Sequence, residues 1–312
     1  MTATLSPVGT TLADLSGAGS RKAKDRLATT LVYASFLIAL VPLVWLLWTV
    51  LSKGLYAMTQ KGWFTDDQAG ITFRDSGGGA LGAITGTVEQ VALCAVISVP
   101  IAIMVAIYLV EYGKGPLARA TTFMVDILTG VPSIVAALFI YAVFITTFGG
   151  RQSGWLVSLA LVMLMIPVVV RTTEEMLKLV PNELREASYA LGVPKWKTIV
   201  KIVIPTATSG IVTGIVLGVA RVAGETAPLL ILVGYSQYGS TNLFSGAQGS
   251  LPGMIKDQFS NIGNTTVLRH GHKVTIHYAA DRMWGAALTL IILVMALNLL
   301  ARLIARRSKI SS

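Results

Sequence analysis

Long apolar runs alternate with shorter polar stretches along most of the chain. An α-helix needs about 20 apolar residues to cross the hydrocarbon core of a bilayer, and the pattern therefore predicts six membrane-spanning helices. They cover residues 27–51, 80–109, 117–148, 155–170, 206–233 and 283–304. The predicted fold class is all-α, a polytopic membrane protein with six transmembrane helices.

Lysine and arginine residues mark one side of this predicted bundle. They are concentrated before the first span, between the second and third, between the fourth and fifth, and after the sixth. By the positive-inside rule these segments face the cytoplasm, which places both termini there. We expect a flexible cytoplasmic tail at 1–26, the first span with an external loop at 27–79, a transmembrane domain at 80–304 and a second cytoplasmic tail at 305–312. The first apolar run is too long for the core of a signal peptide and is interpreted as a retained span.

Composition supports the membrane interpretation. Of the 312 residues, 54% are hydrophobic and 13% are charged, and the mean hydropathy is +0.69, far more apolar than an ordinary soluble domain. The net charge of +10 comes from basic residues at the ends of spans and not from one patch, so no nucleic-acid partner is expected. The single cysteine, Cys94, lies in an apolar run; it cannot form a disulfide within the chain and is expected to be a small buried hydrophobe.

Two predicted external loops are long, at 52–79 and 234–282. The second contains TVLRHGHKVTIHY, in which β-branched residues flank a central His-Gly, a pattern that predicts a short hairpin. All three histidines of the chain lie in this stretch: His270, His272 and His277. The stretch lacks carboxylate or thiolate ligands at a recognised spacing, so a metal site is the less favoured interpretation and solvated hairpin residues the favoured one.

The predicted cytoplasmic loop at 171–205 contains a short helix, at about residues 183–191. Asn182 is a plausible N-cap, and Gly192 followed by Pro194 predicts the end of the helix. One face of the helix carries a narrow stripe, formed by Leu184, Ala187, Ser188 and Leu191. Such a stripe fits a groove on another protein; a plain surface helix that joins two spans is the alternative.

Seven residues of this loop follow one another at a fixed spacing: Glu186, Ala187, Ser188, Gly192, Ile202, Ile204 and Pro205. The spacing resembles the coupling-loop signature of ABC importer permeases, written EAA, three residues, G, nine residues, I, one residue, L and P. The sequence departs from that signature at Ser188, where the family usually has alanine, and at Ile204, where it usually has leucine. The resemblance implies that the loop couples the chain to a partner ATPase through Glu186, Ala187, Ser188, Gly192, Ile202 and Pro205.

Three further segments extend the resemblance: TGVPSIVAALFIYAVF, VVVRTTEEMLKLVP and GVARVAGETAPLL. Together they resemble the phosphate-specific permeases of bacterial phosphate importers, in their A-type subunit, from about residue 80 to the last span. The resemblance implies a type I ABC importer permease fold in the bacterial cytoplasmic (inner) membrane. It also implies the partners: a homologous permease subunit, a dimer of cytoplasmic ATPase subunits, an extracytoplasmic phosphate-binding protein, phosphate and the lipid bilayer.

The sequence contains no ATP-binding loop of the type G-x-x-x-x-G-K-[ST], since Gly113-Lys114 is followed by Gly115. We therefore expect a permease subunit that is not itself an enzyme and has no cofactor, with ATP bound by the partner ATPase subunits. A permease for another oxyanion, such as sulfate or molybdate, stays open as an alternative, as does an ATP-independent channel or carrier. Whether the pore partner is a homologous permease or a second copy also stays open.

Four residues are candidates for the substrate pathway: Arg221, Glu225, Arg171 and Ser133. Arg221 and Glu225 lie four positions apart in an apolar span, where an ionised side chain is costly, so they are expected to pair on one helical face. The pair is either a structural clasp or a place where the planar guanidinium, which bonds two oxygens at once, stabilises passing phosphate.

The other candidates lie in the third and fourth spans. Arg171 matches, by the resemblance, an arginine linked with phosphate passage; a snorkelling interfacial arginine is the alternative. Ser133 follows Pro132 and either offers a hydroxyl where the helix is interrupted or only marks a kink. Asp126 and Glu89 would repel phosphate, and each is expected to pair with a basic residue.

Overall fold

The computed structural model describes residues 12–240, 242–262, 265–269 and 272–308. Its elements are α1 Leu12–Met58, α2 Leu81–Ile107, α3 Pro116–Gly130, α4 Ser133–Ile140, α5 Gly154–Lys178, α6 Asn182–Ala190, α7 Lys195–Thr198, α8 Ile204–Ala223, α9 Ala227–Leu232, α10 Leu251–Ser260, β1 Thr265–Arg269, β2 His272–Ile276 and α11 Tyr278–Ser308. Three π-helical segments continue the helices: Tyr108–Tyr112 after α2, Tyr141–Thr147 after α4 and Ile199–Val203 between α7 and α8.

The described chain divides between Ser52 and Lys53 into two compact units. The first unit is, in its described part, the portion of α1 up to Ser52, and it contains the whole predicted first span. Most of the apolar side chains of this portion are exposed. Residues 12–26, which are part of the predicted tail, belong to α1. Residues 1–11 lie outside the described residues.

Five helices of the described residues are long and apolar enough to cross a membrane, and a sixth span is completed if α3 and α4 count as one. The six apolar runs of the sequence therefore correspond to helices, although two of them are not continuous. The fourth run was expected to end near residue 170, whereas α5 continues to Lys178. Two further turns of helix thus carry charged side chains beyond the apolar run.

The third predicted span, 117–148, is broken. Helix α3 ends at Gly130, α4 begins at Ser133, and the two are bent by 107°. Pro132 explains the break, because proline has no N–H for the helix ladder and forces the preceding residue out of the helical region; Val131 has φ −70° and ψ 123°. The interruption expected at Pro132 is therefore present, as a break between two helices.

The fifth predicted span, 206–233, is broken as well. Helix α8 ends at Ala223, and α9 begins at Ala227. Gly224 weakens the helix at this point. Pro228 has no N–H to donate to the preceding turn, and it lies in the first turn of α9, where proline is well tolerated. Arg221 therefore lies in the last turn of α8, and Glu225 lies in the break.

Helix α5 is the centre of the second unit and packs against α2, α3, α4, α8 and α9. Against α8 the approach is close because glycines face larger side chains: Gly210 meets Met176, Gly214 meets Thr172 and Gly218 meets Met165 and Val169. A Cβ on Gly214 would overlap the Thr172 hydroxyl. Small residues at such contacts let helix backbones approach, as is typical of membrane helix packing.

One end of the second unit is built from the start of α2, the loop at 59–80, the segments 234–240 and 242–250, and α10. Arg282 of α11 is buried and holds this loop, since its guanidinium donates to the carbonyl oxygens of Thr72 (3.0 Å), Asp75 (2.9 Å) and Gly77 (3.1 Å). Its Nε donates to Gln258 Oε1 of α10 at 2.9 Å. We call this the α10 end; the opposite ends of α2 and α5 form the α6 end.

The two strands form the predicted hairpin, with Thr265 paired to Ile276 and Arg269 paired to His272 in antiparallel register. His270 lies outside the described residues, and no side-chain contact of His272 is described. Among the residues that the structure describes, no group of three or more His, Cys, Asp or Glu side chains is arranged to hold a metal ion.

Candidate functional site

Arg171 lies in α5 within a network of four charged side chains. Its Nη1 donates to Glu174 Oε2 at 2.8 Å, and its Nη2 donates to Asp126 of α3. Lys178 Nζ donates to the second oxygen of Glu174 at 2.7 Å. Glu174 and Lys178 follow Arg171 at helical spacings of three and seven, so one face of α5 carries all three. The expected pairing of Asp126 with a basic residue is confirmed.

The two carboxylates beside Arg171 differ in exposure. The Asp126 side chain is 59% exposed, whereas that of Glu174 is 10% exposed. Glu174 is also held by a second cation, and Asp126 has no other ion-pair partner in the described residues. Asp126 is therefore the more exposed and less constrained of the two carboxylates.

Arg221 and Glu225 also lie close together, with 4.0 Å between Arg221 Nε and Glu225 Oε1. This distance is the outer limit of an ion pair and too long for a hydrogen bond. The predicted arrangement on one helical face is wrong, because α8 ends at Ala223 and Glu225 lies in the break that follows. Half of the Arg221 side chain is exposed, and the structure shows no side-chain hydrogen bond from it to another described residue.

The packing of α5 against α8 gives the positions of Arg171 and Arg221 relative to each other along the helix axes. The glycine contacts set an antiparallel register in which Gly214 is level with Thr172 and Gly210 with Met176. In that register Arg221 is level with about Met165, six residues from Arg171. At a rise of 1.5 Å per residue, the two positions are about 9 Å apart along the helix axes.

Ser133 is the first residue of α4, directly after the bend. It is half-buried, and no hydrogen bond of its hydroxyl to another described residue is found. Its helix packs against α9, the short helix that follows the break at Glu225. The two helix breaks of the second unit thus precede helices that contact each other.

The acidic residue Glu89 does not behave as expected. It was predicted to pair with a basic residue, but its carboxylate accepts a hydrogen bond of 2.6 Å from the amide of Gln248. The other end of that amide accepts from Gln90 Nε2 at 2.8 Å, and both glutamines are buried. A neutral amide therefore satisfies the carboxylate and fastens the segment 242–250 to α2.

Helix α6 forms at the predicted place and ends as predicted. Gly192 has φ +73°, and no atom lies within 4 Å of the position that a Cβ would take, so the left-handed backbone and not crowding requires glycine. Its N–H donates to Tyr189 O at 2.9 Å, as in a helix C-cap. The predicted N-cap is wrong: Pro181 occupies that position, and Asn182 is the first helical residue and accepts from Arg185 Nη1 at 3.3 Å.

The predicted stripe on α6 is divided between two environments. Leu184, Ala187 and Leu191 are exposed, and we call these three residues the α6 stripe. Ser188 is instead buried, and its hydroxyl lies 2.8 Å from the hydroxyl of Thr198 in α7. The serine that departs from the usual alanine therefore holds α6 against α7.

The remaining residues of the loop signature lie around α6 and the start of α8. Glu186 is exposed and has no ion-pair partner in the described ranges. Ile202 is half-buried in the π-helical segment Ile199–Val203, and Pro205 follows it in the first turn of α8. Pro205 has no N–H to donate to the carbonyl one turn earlier, which accounts for the wider π-helical turn before it.

The sequence reasoning missed Arg185, which is at the centre of the α6 end. Arg185 donates to Glu111 Oε1 from Nε at 3.1 Å and from Nη2 at 3.0 Å. Glu111 lies 74 positions earlier in the chain, in the segment Tyr108–Tyr112. In the sequence Arg185 is one of the basic residues of the loop at 171–205, which indicate topology only, and Glu111 follows the second predicted span without a pattern that relates it to Arg185.

A helical bundle with several candidate spans, arginines paired to acids near the spans and a capped helix between two of them defines the class of membrane-embedded transport subunits. The family described as "Binding-protein-dependent transport system inner membrane component" matches residues 98–309. The chain belongs to this family and, within it, to the phosphate transport system permease proteins called PstA, as close relatives show.

Two relatives illustrate the similarity. The chain is 52% identical over 284 residues to "Phosphate transport system permease protein PstA 1" of Mycobacterium tuberculosis (strain CDC 1551 / Oshkosh), covering 91% of this chain and 89% of the relative. It is 39% identical over 290 residues to the protein PstA of Yersinia pestis, covering 93% and 92%. The similarity therefore extends over nearly the whole chain.

Solved structures share the fold at low sequence identity. A chain of a bacterial ABC transporter involved in the import of the acidic polysaccharide alginate superposes with a TM-score of 0.60 at 16% identity, covering 92% of this chain and 99% of that one. A chain of the inward-facing MetNI methionine ABC transporter gives 0.53 at 21% identity, covering 73% and 96%. The fold is that of an ABC importer permease.

Proposed function

We propose that this chain is the pore subunit of an ATP-driven phosphate importer in a bacterial cytoplasmic membrane, with both termini in the cytoplasm. The observation that carries the proposal is the pair of arginines, Arg171 and Arg221, on adjoining helices of a chain from the PstA family. In this orientation the α6 end faces the cytoplasm, and the α10 end faces the outside.

Phosphate is a substrate that suits these arginines. A guanidinium stays charged at any physiological pH and bonds two oxygens through its planar fork. Arg171 receives the anion when phosphate displaces Asp126, the exposed carboxylate, while Glu174 keeps the guanidinium oriented. In this mechanism Asp126 occupies the substrate position between transport events.

Arg221 provides the second cation, about 9 Å further along the helix axes. Its guanidinium has donors to offer to phosphate oxygens because Glu225 Oε1 is 4.0 Å away. Ser133, at the start of α4, offers a hydroxyl donor near the helix break. Two positive sites in succession, one shared with an exchangeable carboxylate and one with a distant carboxylate, bind the anion well enough to admit it and loosely enough to release it.

Energy reaches the pore through α6 in this proposal. The α6 stripe of Leu184, Ala187 and Leu191 docks in a groove of a partner ATPase, and ATP binds only to that partner. The other partners are a homologous permease subunit and an extracytoplasmic phosphate-binding protein that rests on the α10 end. We propose no cofactor for this chain and no enzymatic activity of its own.

Transport by the complete complex in proteoliposomes tests this function. We expect uptake of radioactive phosphate that requires ATP hydrolysis and the phosphate-loaded binding protein, and that excess sulfate or molybdate does not inhibit. Uptake of sulfate or molybdate in place of phosphate would show a permease for another oxyanion. Phosphate uptake that continues without ATP would show a channel or secondary carrier, and either result overturns the proposal.

A further inference from the structure

Arg185 joins three separate elements at the α6 end. Besides its two bonds to Glu111, its Nη2 donates to Leu177 O at 3.0 Å and its Nη1 to Val180 O at 2.6 Å. Leu177 lies in the last turn of α5, where helix carbonyl groups lack intrahelical partners, and Val180 lies two residues after the end of that helix. One guanidinium thus connects α6, the end of α5 and the π-helical segment that continues α2.

Both charged groups of this connection are withdrawn from solvent. The side chain of Glu111 is 5% exposed and that of Arg185 is 12% exposed. Taking two ions out of water is costly, and the cost is offset only where geometry is good and the remaining donors are satisfied. The bonds to Leu177 and Val180 use two of the three N–H donors that Glu111 leaves free, and Asn182 Oδ1 accepts from the third at 3.3 Å, so the guanidinium has no donor left for a ligand. Its position suits a mechanical role.

A second side chain holds the same segment from the other side of α6. Lys195 of α7 donates to the main-chain oxygen of Glu111, and its Nζ lies 4.6 Å from the centre of the Tyr112 ring. The helices on both sides of the Gly192 turn are therefore attached to the end of α2. A displacement of the whole α6–α7 unit pulls on the segment Tyr108–Tyr112.

Helix α2 carries such a displacement to the opposite end of the second unit. With its π-helical continuation it covers residues 81–112 without interruption, including Pro100, and 32 residues of helix correspond to about 48 Å. At the α10 end, Thr87 Oγ1 accepts from Leu251 N at 2.8 Å, and Gln248 is bonded to Glu89 and Gln90. The same helix is thus fastened to α6 at one end and to the segment before α10 at the other.

We propose that Glu111 and Arg185 form a coupling clasp, which transmits movement of α6 to α2 and so links the ATPase side of the complex to the side that receives the binding protein. This inference rests on the proposed function. Both are positioning residues, which act on the pathway through α2. Coupling between two sites is reciprocal, so the clasp also carries the signal by which a docked, loaded binding protein stimulates ATP hydrolysis.

The test compares variants in the complete complex, reconstituted in proteoliposomes with the ATPase subunits and the binding protein. Arg185→Lys keeps the charge but loses the fork that reaches both Glu111 and the carbonyl groups, and Glu111→Gln keeps the shape but loses the charge. We expect both to assemble and to retain basal ATPase activity, with stimulation by phosphate-loaded binding protein reduced about tenfold. Glu175→Gln, which removes an exposed carboxylate of α5, is the matched control and keeps normal stimulation.

A rescue experiment separates transmission from simple stability. Glu111→Cys and Arg185→Cys are combined with Cys94→Ala, so that a short bifunctional thiol reagent joins only the two clasp positions. We expect the double variant to lose stimulation and the crosslinked complex to regain most of it. An assembled, crosslinked complex that stays unstimulated would overturn the proposal, as would normal stimulation in Arg185→Lys and Glu111→Gln or failure of both to assemble.

The proposed function fails in a different way. If the unmodified complex, with the clasp intact, shows no phosphate uptake and no stimulation by loaded binding protein, then the function is wrong. If the unmodified complex transports phosphate and the clasp variants transport equally well, then only the clasp is wrong.

Discussion

Asp126 of α3 and Arg171 of α5 are 45 positions apart in the chain and form an ion pair between the two helices. The arginine is held on its other side by Glu174, which is nearly buried, while Asp126 is mostly exposed. An exposed ion pair contributes little to stability, about 0–1 kcal/mol. The pair therefore opens at small cost, and an anion of higher charge than a carboxylate competes well with Asp126 for the guanidinium.

Replacing Asp126 with asparagine tests this competition. The variant removes the negative charge that occupies Arg171, and we expect phosphate to bind the purified complex several-fold more tightly in the absence of the binding protein, a change of about 1 kcal/mol. Equilibrium dialysis with radioactive phosphate measures the affinity. Glu175→Gln is the control: it also removes one negative charge, on α5, and we expect it to leave the affinity unchanged. An unchanged affinity in Asp126→Asn would mean that Asp126 does not compete with the substrate.

The pair Arg221 and Glu225 is expected to matter for substrate and little for stability. With 4.0 Å between the charged atoms and half of Arg221 exposed, the pair contributes about 1 kcal/mol or less to folding. Arg221→Gln should abolish phosphate uptake in complexes that assemble and hydrolyse ATP, and Arg221→Lys should be intermediate because it keeps the charge without the fork.

The double variant Arg221→Gln with Glu225→Gln distinguishes the two roles of this pair. If the pair has only a structural role, the double variant removes both charges together and leaves no unpaired ion, so it should recover much of the activity that the single variants lose. If Arg221 contacts the substrate, the double variant still lacks that contact and its uptake should not recover. Uptake is measured in vesicles and normalised to assembled complex, and near-normal uptake by the double variant would assign the pair to structure.

The spans could be predicted from the sequence because lipid imposes a length and a composition on each helix that crosses it. Continuity could not be predicted in the same way. Pro132 and Pro228 occur in runs whose mean hydropathy is that of a membrane span, and hydropathy does not tell a kinked helix from two helices. Whether a proline bends or ends a helix depends on which neighbours satisfy the freed backbone groups, and that is decided by packing against α5.

The charged network was predictable only in part. Arg171, Glu174 and Lys178 lie within two turns of one helix, so their spacing reveals a shared face, although the apolar run ended before them. Glu111 and Arg185 are different, because 74 positions separate them and no local pattern relates them. The hydroxyl pair of Ser188 and Thr198 explains a departure from the family signature that the sequence alone left without a reason.

The carboxylate of Asp67 predicts a dependence of the α10 end on pH. It accepts hydrogen bonds from the backbone N–H groups of Ala69 (3.0 Å) and Gly239 (3.1 Å), which lower its pKa. The ionised carboxylate is the form that accepts these hydrogen bonds. The link between the loop at 59–80 and Gly239 is therefore fully present above the pKa of Asp67 in the unfolded chain, about 3.9, and is lost as pH falls through the lower pKa of the folded protein.

Hydrogen exchange of the Gly239 amide measures this link. At neutral pH, Asp67→Asn should lower the protection of that amide several-fold, about 1 kcal/mol, because the amide oxygen is a weaker acceptor than a carboxylate. In the unmodified protein, protection corrected for the intrinsic exchange rate should be constant at neutral pH and fall only below about pH 4. Loss of protection already at pH 6 would assign the link to another group.

Gly192 is expected to be essential for coupling because of its backbone alone. Its φ of +73° is strained for residues with a side chain, and the open space around it means that a larger residue does not collide with its surroundings. Gly192→Val should therefore shift the end of α6 at a cost of about 1–2 kcal/mol and reduce stimulated ATPase activity and phosphate uptake together. Gly192→Asn is the matched control, since asparagine tolerates the left-handed conformation, and it should retain most of both activities. If valine and asparagine reduce stimulation equally, then side-chain bulk facing the ATPase and not backbone conformation sets the requirement for glycine.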